Sequence, residues 1–493
     1  MKAILRRARF ALLIPVLMWV GASSPALAGA TVTLSPGSGH PNSKDNVSGT
    51  GFTANEPVDV YFDTTDELLV FTDGTGAFGK HQLNVPADAL PGTHWITAIG
   101  RKNEDGNQAP FTVTTIWAEL GFSLHGKRNN PYENVISTSN AASLDIAWTA
   151  ATGGFVTSSP AVEYGLIYVG SWDNKLYAIN ASTGATLWTA TTGNIVRSSP
   201  AVANGVVYVG SDDGKLYAFN YANGAVKWTA TTGNVVYSSP AVANGVVYVG
   251  SLDDKLYAFN ANTGALLSGW PVTTGGGVFS SPAVANGVVY VGSEDDNLYA
   301  FNATTGVQLW TATTASGVAS SPAVANGVVY FGSNDDKLYA INARTGGTLW
   351  TATTAGVIGT TPAVANGVVY VGSADNNLYA FSAITGATLW TATTGNEIVS
   401  SAAVANGVVY VGSGDDKLYA FDAIDGATLW TAATGGSVGS SPTVSDGVVY
   451  VGSTDNNLYV FALNGGNNAV YRRGAAPPSH VSLHPDYRLT PAN

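Results

Sequence analysis

From about residue 148 to 463 the chain repeats one pattern, SSPAVxxGVVYVGSxDxxLYAFNxxTGxxLW, eight times. The opening dipeptides are Ser158-Ser159, Ser198-Ser199, Ser238-Ser239, Ser280-Ser281, Ser320-Ser321, Thr360-Thr361, Ser400-Ser401 and Ser440-Ser441. Tryptophans keep step at Trp148, Trp188, Trp228, Trp270, Trp310, Trp350, Trp390 and Trp430, spaced by 40 residues except for one spacing of 42. A period near 40 made of short β-type runs predicts a β-propeller, one blade per repeat. No such unit can bury its apolar faces alone, so the repeats must stack on one another.

Within the second copy the strands read as A, Ser199–Ala203; B, Val206–Val209; C, Leu216–Phe219; and D, Ala225–Ala230. Asn204-Gly205, Asp212-Asp213-Gly214 and Asn223-Gly224 supply the turns between them. The eighth copy lacks its own D strand, and the missing piece stands before the first copy as Leu144–Trp148. This permutation lets the chain ends share a blade and leaves no open sheet edge. The expected fold is all-β: a closed eight-bladed propeller over 148–463.

Four segments flank it. Residues 1–28 have the form of a secretory signal, with Lys2, Arg6, Arg7 and Arg9, an apolar centre and the Ala26-Leu27-Ala28 site. Residues 29–115 hold β-type runs at Thr31–Leu34, Val58–Phe62, Leu68–Phe71 and Trp95–Ile99, which predict a small sandwich. Residues 116–147 connect the two folded parts, and 464–493 form a tail rich in Pro, Arg and His. Loss of the four cations in 1–28 takes the formal net charge from −12 to −16. That surface repels phosphate backbones and anionic lipid, so nucleic acid and membrane insertion are not expected. With no cysteine in the chain, disulfides and thiolate chemistry are excluded. The expectation is an exported monomer, extracellular or periplasmic.

The repeated TG…W unit, as in Thr183-Gly184 with Trp188, resembles the tryptophan-docking motif of quinoprotein dehydrogenase propellers. With SSPAV and LYAFN, the likeness extends to BamB-like envelope assembly factors. SGTGFTANEPVDVYFD and VPADALPGTHWITAIG resemble bacterial Ig-like modules, which implies a spacer or adhesive role for 29–115. The propeller resemblance implies that the eight tryptophans dock between blades. It also raises the possibility of pyrroloquinoline quinone (PQQ) with calcium. The catalytic Asp, the calcium ligands and the cofactor-stacking Trp of such enzymes cannot be placed residue by residue here.

Each B–C hairpin carries one aspartate: Asp173, Asp213, Asp253, Asp295, Asp335, Asp375, Asp415 and Asp455. Asp213, Asp253 and Asp295 are the weak metal candidates. Calcium wants six to eight oxygens, so a role in closing the turn is the simpler expectation. All six histidines lie outside the repeats, and the repeats hold only Glu163, Glu294, Glu397, Arg197 and Arg344 among glutamates and arginines. That is little material for general acid–base catalysis, and no catalytic residue is assigned. A specific site should lie where the copies differ. Strands alternate in direction, so D–A and B–C loops share one face. There Arg197, Tyr237 and Phe279 precede three successive opening dipeptides, with Trp172 on a hairpin tip and Ala or Gly opposite. These four residues are the candidate ligand site. The reading is an exported, non-catalytic binding scaffold for a protein or glycan. A PQQ- and calcium-dependent dehydrogenase and a BamB-like assembly scaffold are the alternatives.

Overall fold

The computed structural model describes residues 29–466 except 64, 104–105 and 124; the signal-type segment and residues 467–493 of the tail lie outside the described residues. Among the described residues there are two compact units, one of 29–36, 45–83 and 95–110, the other of 37–44, 84–94 and 111–466.

In the first unit, each of the four β-type runs read from the sequence lies in a strand: Thr31–Ser35, Pro57–Phe62, Thr65–Phe71 and Gly92–Gly100. The last alternates buried and part-exposed residues, the period-2 signature of a strand with one covered face. Val47, Phe52, Val58, Val60, Val70, Phe78, Ile96 and Ala98 are buried.

The second unit contains eight sheets with an antiparallel A-B-C-D core, seven four-stranded and the repeat-7 sheet five-stranded, and the first seven take these four strands from one repeat each. In repeat 2 the strands are Ala201–Ala203, Val206–Ser211, Lys215–Asn220 and Val226–Thr231. The A–B turn closes on Asn204 and Gly205, both with positive φ (51° and 73°). Asn-Gly tolerates that geometry, and it matches the twist of the paired strands. Strand B is buried along its whole length because neighbouring sheets cover both faces, hence the unbroken VVYVGS run. Strand D faces outward and alternates.

The outer strand of the eighth sheet is Leu144–Ala151, paired antiparallel with Asn457–Leu463. At the same seam the Ser440 Oγ donates to the Ser158 carbonyl (3.0 Å) and the Ser441 N–H to Ser159 Oγ (3.0 Å). The opening dipeptide therefore has two functions that its sequence position does not disclose. Its first hydroxyl accepts from a strand-B glycine, as Gly210 N–H to Ser198 Oγ at 3.0 Å. Its second accepts from the backbone of the preceding repeat, as Ser199 N–H to Ser239 Oγ at 2.9 Å.

The tryptophans show why TG accompanies W. Trp188 lies against Gly224, where an added Cβ would sit 2.5 Å from the ring, and Gly224 has φ +69°. Only glycine fits there. The Trp188 indole N–H reaches the Tyr221 carbonyl at 3.0 Å, which also accepts from the Tyr208-equivalent hydroxyl of Tyr168. Trp148, Trp228, Trp310, Trp350 and Trp390 meet Gly184, Gly264, Gly346, Gly386 and Gly426 in the same way. Two of the eight depart from the expectation. The two-residue insertion in repeat 3 pulls Trp270 off the strand, which shrinks to Val272–Thr273; Gly306 then meets Gly269 and Val272, and the buried Trp270 indole nitrogen has no partner. Trp430 has no TG glycine to meet in the permuted eighth sheet and packs edge-on against Phe461 at 5.1 Å.

The connecting segment does more than connect. From 115 to 136 it passes along the inner strands of the repeats. Trp117 and Val162 exchange backbone bonds, Val202 N–H reaches Ala118, Val324 reaches His125, Val364 reaches Lys127 and Val404 reaches Arg128. Asn129–Asn130 then adds a parallel strand to repeat 7. Its later residues touch A–B turns, with the Asn406 amide donating to the Ile136 carbonyl at 2.9 Å. The inner strands are thereby capped by the chain itself from the A–B turn end.

Candidate functional site

D–A and B–C loops lie side by side at the other end, stitched by backbone bonds such as Asp212 N–H to Ile195 (2.9 Å) and Glu294 N–H to Gly277 (3.1 Å). Repeat geometry brings the residue before each opening dipeptide next to the hairpin tip fifteen positions on. The Trp172 indole donates to Thr157 Oγ1 at 2.9 Å, and Arg197 Nε stands 3.3 Å from Asp212 Oδ2.

The four candidate ligand residues come together as one stack. The Arg197 guanidinium lies over the Trp172 ring (4.3 Å) and over Tyr237 (4.9 Å), and its Nη1 donates to the Tyr237 hydroxyl at 2.7 Å. Tyr237 in turn stacks on Phe279, centroids 5.3 Å apart and planes within 14°. Phe155, which sequence reasoning passed over, extends the far end at 5.1 Å from Trp172. Its two-residue offset from Thr157 was the available signal. The stack is thus largely self-occupied, and its two end rings are the exposed ones, Phe155 at 41% and Phe279 at 42%.

Polar atoms around the stack are incompletely used. Arg197 and Asp212 are close enough for an ion pair but poorly aligned, so Arg197 Nε and Asp212 Oδ1 are buried without hydrogen-bond partners. Burial raises the Asp212 pKa; Arg197 opposes that rise and Asp213 adds to it. Burial, with Asp296 nearby, also raises Glu294.

The repeated aspartates are occupied by a tyrosine four residues on. Tyr217, Tyr257 and Tyr299 donate to Asp213, Asp253 and Asp295 at 2.5, 2.6 and 2.6 Å. The preceding D–A loop adds a second donor, as Gly193 N–H to Asp213 Oδ2 at 3.1 Å. Turn closure by the aspartate's own backbone is present too, as Lys215 N–H to Asp213 Oδ1 (3.1 Å). For Asp295, Asp335, Asp415 and Asp455 burial alone would raise the pKa, yet these bonds hold it below the usual carboxylate value.

A calcium–quinone pair would need unclaimed oxygen donors and an open aromatic slot. Here the hairpin carboxylates serve tyrosines and loop N–H groups, and the rings cover one another. Among the described residues no three His, Cys, Asp or Glu side chains gather as a metal site. The residues present do not fit that pair.

At the capped end the polar groups are of another kind. Arg128 is fully buried and donates to the carbonyls of Ala402 (2.7 Å), Pro442 (2.8 Å) and Leu120. Burial lowers its pKa to about 9. Glu119 lines a cavity of about 30 Å³ with Ser239, Ser281, Ser321 and Thr361, and burial raises it to about 7 against a bond from the Val242 backbone.

Comparison with known proteins bears on the fold. A family model described as the β-propeller of beta-alanine-activating enzyme matches residues 131–367, and one described as outer membrane protein assembly factor BamB matches 377–485. Among solved structures, BamB from Moraxella catarrhalis is 19% identical over 65% of this chain and 97% of that one, with a TM-score of 0.57. Quinohemoprotein alcohol dehydrogenase from Comamonas testosteroni is 17% identical over 72% and 81%, TM-score 0.63. The computationally designed Ika8 protein is 18% identical over 63% and 97%, TM-score 0.58. A search of curated proteins returns no match. The repeats are PQQ-like, BamB-like β-propeller repeats. At these identities the likeness speaks for architecture, because one propeller design carries unrelated activities.

Proposed function

We propose that this protein is an exported, non-catalytic binding scaffold whose working surface is the loop end of the propeller. The observation that carries this reading is the Trp172–Arg197–Tyr237–Phe279 stack. Near-identical repeats differ at these positions, and four of them build one continuous asymmetric surface. Rigid scaffolds commonly carry recognition on such loops. No helix among the described residues is long and apolar enough to cross a membrane, and export rests on the form of residues 1–28. The likeness to BamB supports a protein as the partner.

The test is calorimetric titration of PQQ into the full mature chain, with and without Ca²⁺, alongside dye reduction with alcohols and sugars. The expected result is neither saturable heat nor turnover. Saturable binding accompanied by turnover, both lost in Arg197→Ala, would overturn the reading in favour of a quinoprotein dehydrogenase.

A further inference from the structure

The stack stops short by one rung, and the molecule itself displays what fits such a place. Arg197 is held between two aromatic rings, Trp172 and Tyr237, with the hairpin-tip carboxylate of Asp212 at its Nε. Moving round the loop end, Tyr237 and Phe279 take the next two rungs. The rung after that belongs to Ala319, and beyond it Gly359, where an added Cβ would meet nothing within 4 Å.

The space over Ala319 has the same ingredients that surround Arg197. The second face of Phe279 carries no ring or cation among the described residues, and the side chain is 42% exposed. Asn334, fifteen positions on from Ala319, stands where Asp212 stands for Arg197, and Glu294, the hairpin tip of the preceding repeat, stands where Trp172 does. The Glu294 Oε2 reaches over Gly317, 2.6 Å from where a Cβ would be, and the Asn334 amide approaches the same point at 3.1 Å. Neither side chain has a hydrogen-bond partner among the described residues, whereas the repeated aspartates beside them are engaged by tyrosines. Glycine at 317 is what lets the two polar groups converge. A chain of net charge −12 also favours a cationic visitor over an anionic one.

We infer that the vacant rung bounded by Phe279, Ala319, Glu294 and Asn334 is a receptor for an arginine side chain of a protein partner. The guanidinium would lie on the free face of Phe279, give its N–H groups to the Glu294 carboxylate, and continue the alternation that Arg197 begins. Guanidinium stacks on rings and forks onto a carboxylate at once, which an ammonium does less well. This rests on the loop end being the working surface.

The experiment is titration of the full mature chain with acetyl-Gly-Arg-Gly-amide, its lysine and citrulline counterparts, and a panel of neutral oligosaccharides. Saturable binding of the arginine peptide is expected, weakened about tenfold by citrulline or by Glu294→Gln, since a charge-assisted bond is lost in each case. Ala319→Phe, which fills the rung, should abolish it while leaving the thermal transition in place. An oligosaccharide that binds in place of the arginine peptide and is blocked by Ala319→Phe would overturn the guanidinium assignment and leave the loop-end reading standing. Binding of any of these probes that ignores Ala319→Phe would overturn both. Silence from every probe would overturn the arginine receptor.

Discussion

Arg128 lies buried against the inner strands and Arg197 in a loop between repeats, and the two are held by different means. Arg128 has no accessible surface and no carboxylate partner; three backbone carbonyls from the axial segment and repeats 7 and 8 take its protons, with Trp117 5.5 Å away. Arg197 keeps 31% of its side chain exposed and depends on rings and a misaligned carboxylate. The first is placed to hold pieces of chain together. The second presents charge and surface at the end where the repeats diverge. The difference separates an arginine whose donors are spent on backbone carbonyls from one whose Nε remains unspent.

The sharpest way to break this contrast is to remove the buried arginine. Arg128→Met keeps an aliphatic stem but leaves three buried carbonyls without donors. Each such loss costs about 1–3 kcal/mol, so destabilisation of about 3 kcal/mol or more is expected in chemical denaturation. A loss below about 1 kcal/mol would mean that the axial segment does not rely on this residue.

Acidity should distinguish the ends next. At the closed end burial raises Glu119 and Glu163 to about 7, so in the unfolded chain, near 4.5, they release protons that the folded state keeps. Their contribution to stability therefore falls as pH rises from about 4.5 to 7. At the open end Asp173, Asp295, Asp335, Asp415 and Asp455 are lowered, so theirs is lost only as pH drops below about 3.8. Glu119→Gln should flatten the upper part of the stability curve and leave the acid limb unchanged. A variant that instead moved the acid limb would reverse the assignment.

How much of this could be read from the repeat depends on the distance over which each feature acts. The Asn-Gly turns, the strand order and the shared face of D–A and B–C loops follow from patterns a few residues long, and the neighbours Arg197, Tyr237 and Phe279 from the period itself. Trp270 shows the limit: a spacing of 42 marks the irregularity but not that the indole leaves its glycine. Arg128 shows a harder one. Its partners lie 274 and 314 residues away, and nothing local in KRNNPYENV announces them. The self-occupied stack was equally hidden, because a list of variable residues does not say which faces they turn on one another.

A smaller effect tests the open-end hairpins. Tyr339→Phe removes the 2.5 Å bond to Asp335 and should cost about 1 kcal/mol at pH 7. Because the bond favours the ionised carboxylate, the cost should fade below about pH 3.8. A cost that persisted in acid would assign the tyrosine's contribution to packing rather than to the bond.

The smallest stability effect is expected at Arg197 itself. Arg197→Ala removes two ring contacts and one hydrogen bond at a part-exposed site, where such groups contribute about 0.5–1 kcal/mol. It also leaves Asp212 without its cation, so that carboxyl should shift further upward, a change that carboxylate NMR would follow. Trp172 and Tyr237 would each gain an uncovered face, and an added guanidinium compound should quench tryptophan emission in this variant more than in the parent chain. A large loss of stability would instead make Arg197 a second structural clamp, and the open end would then differ from the closed one in location alone.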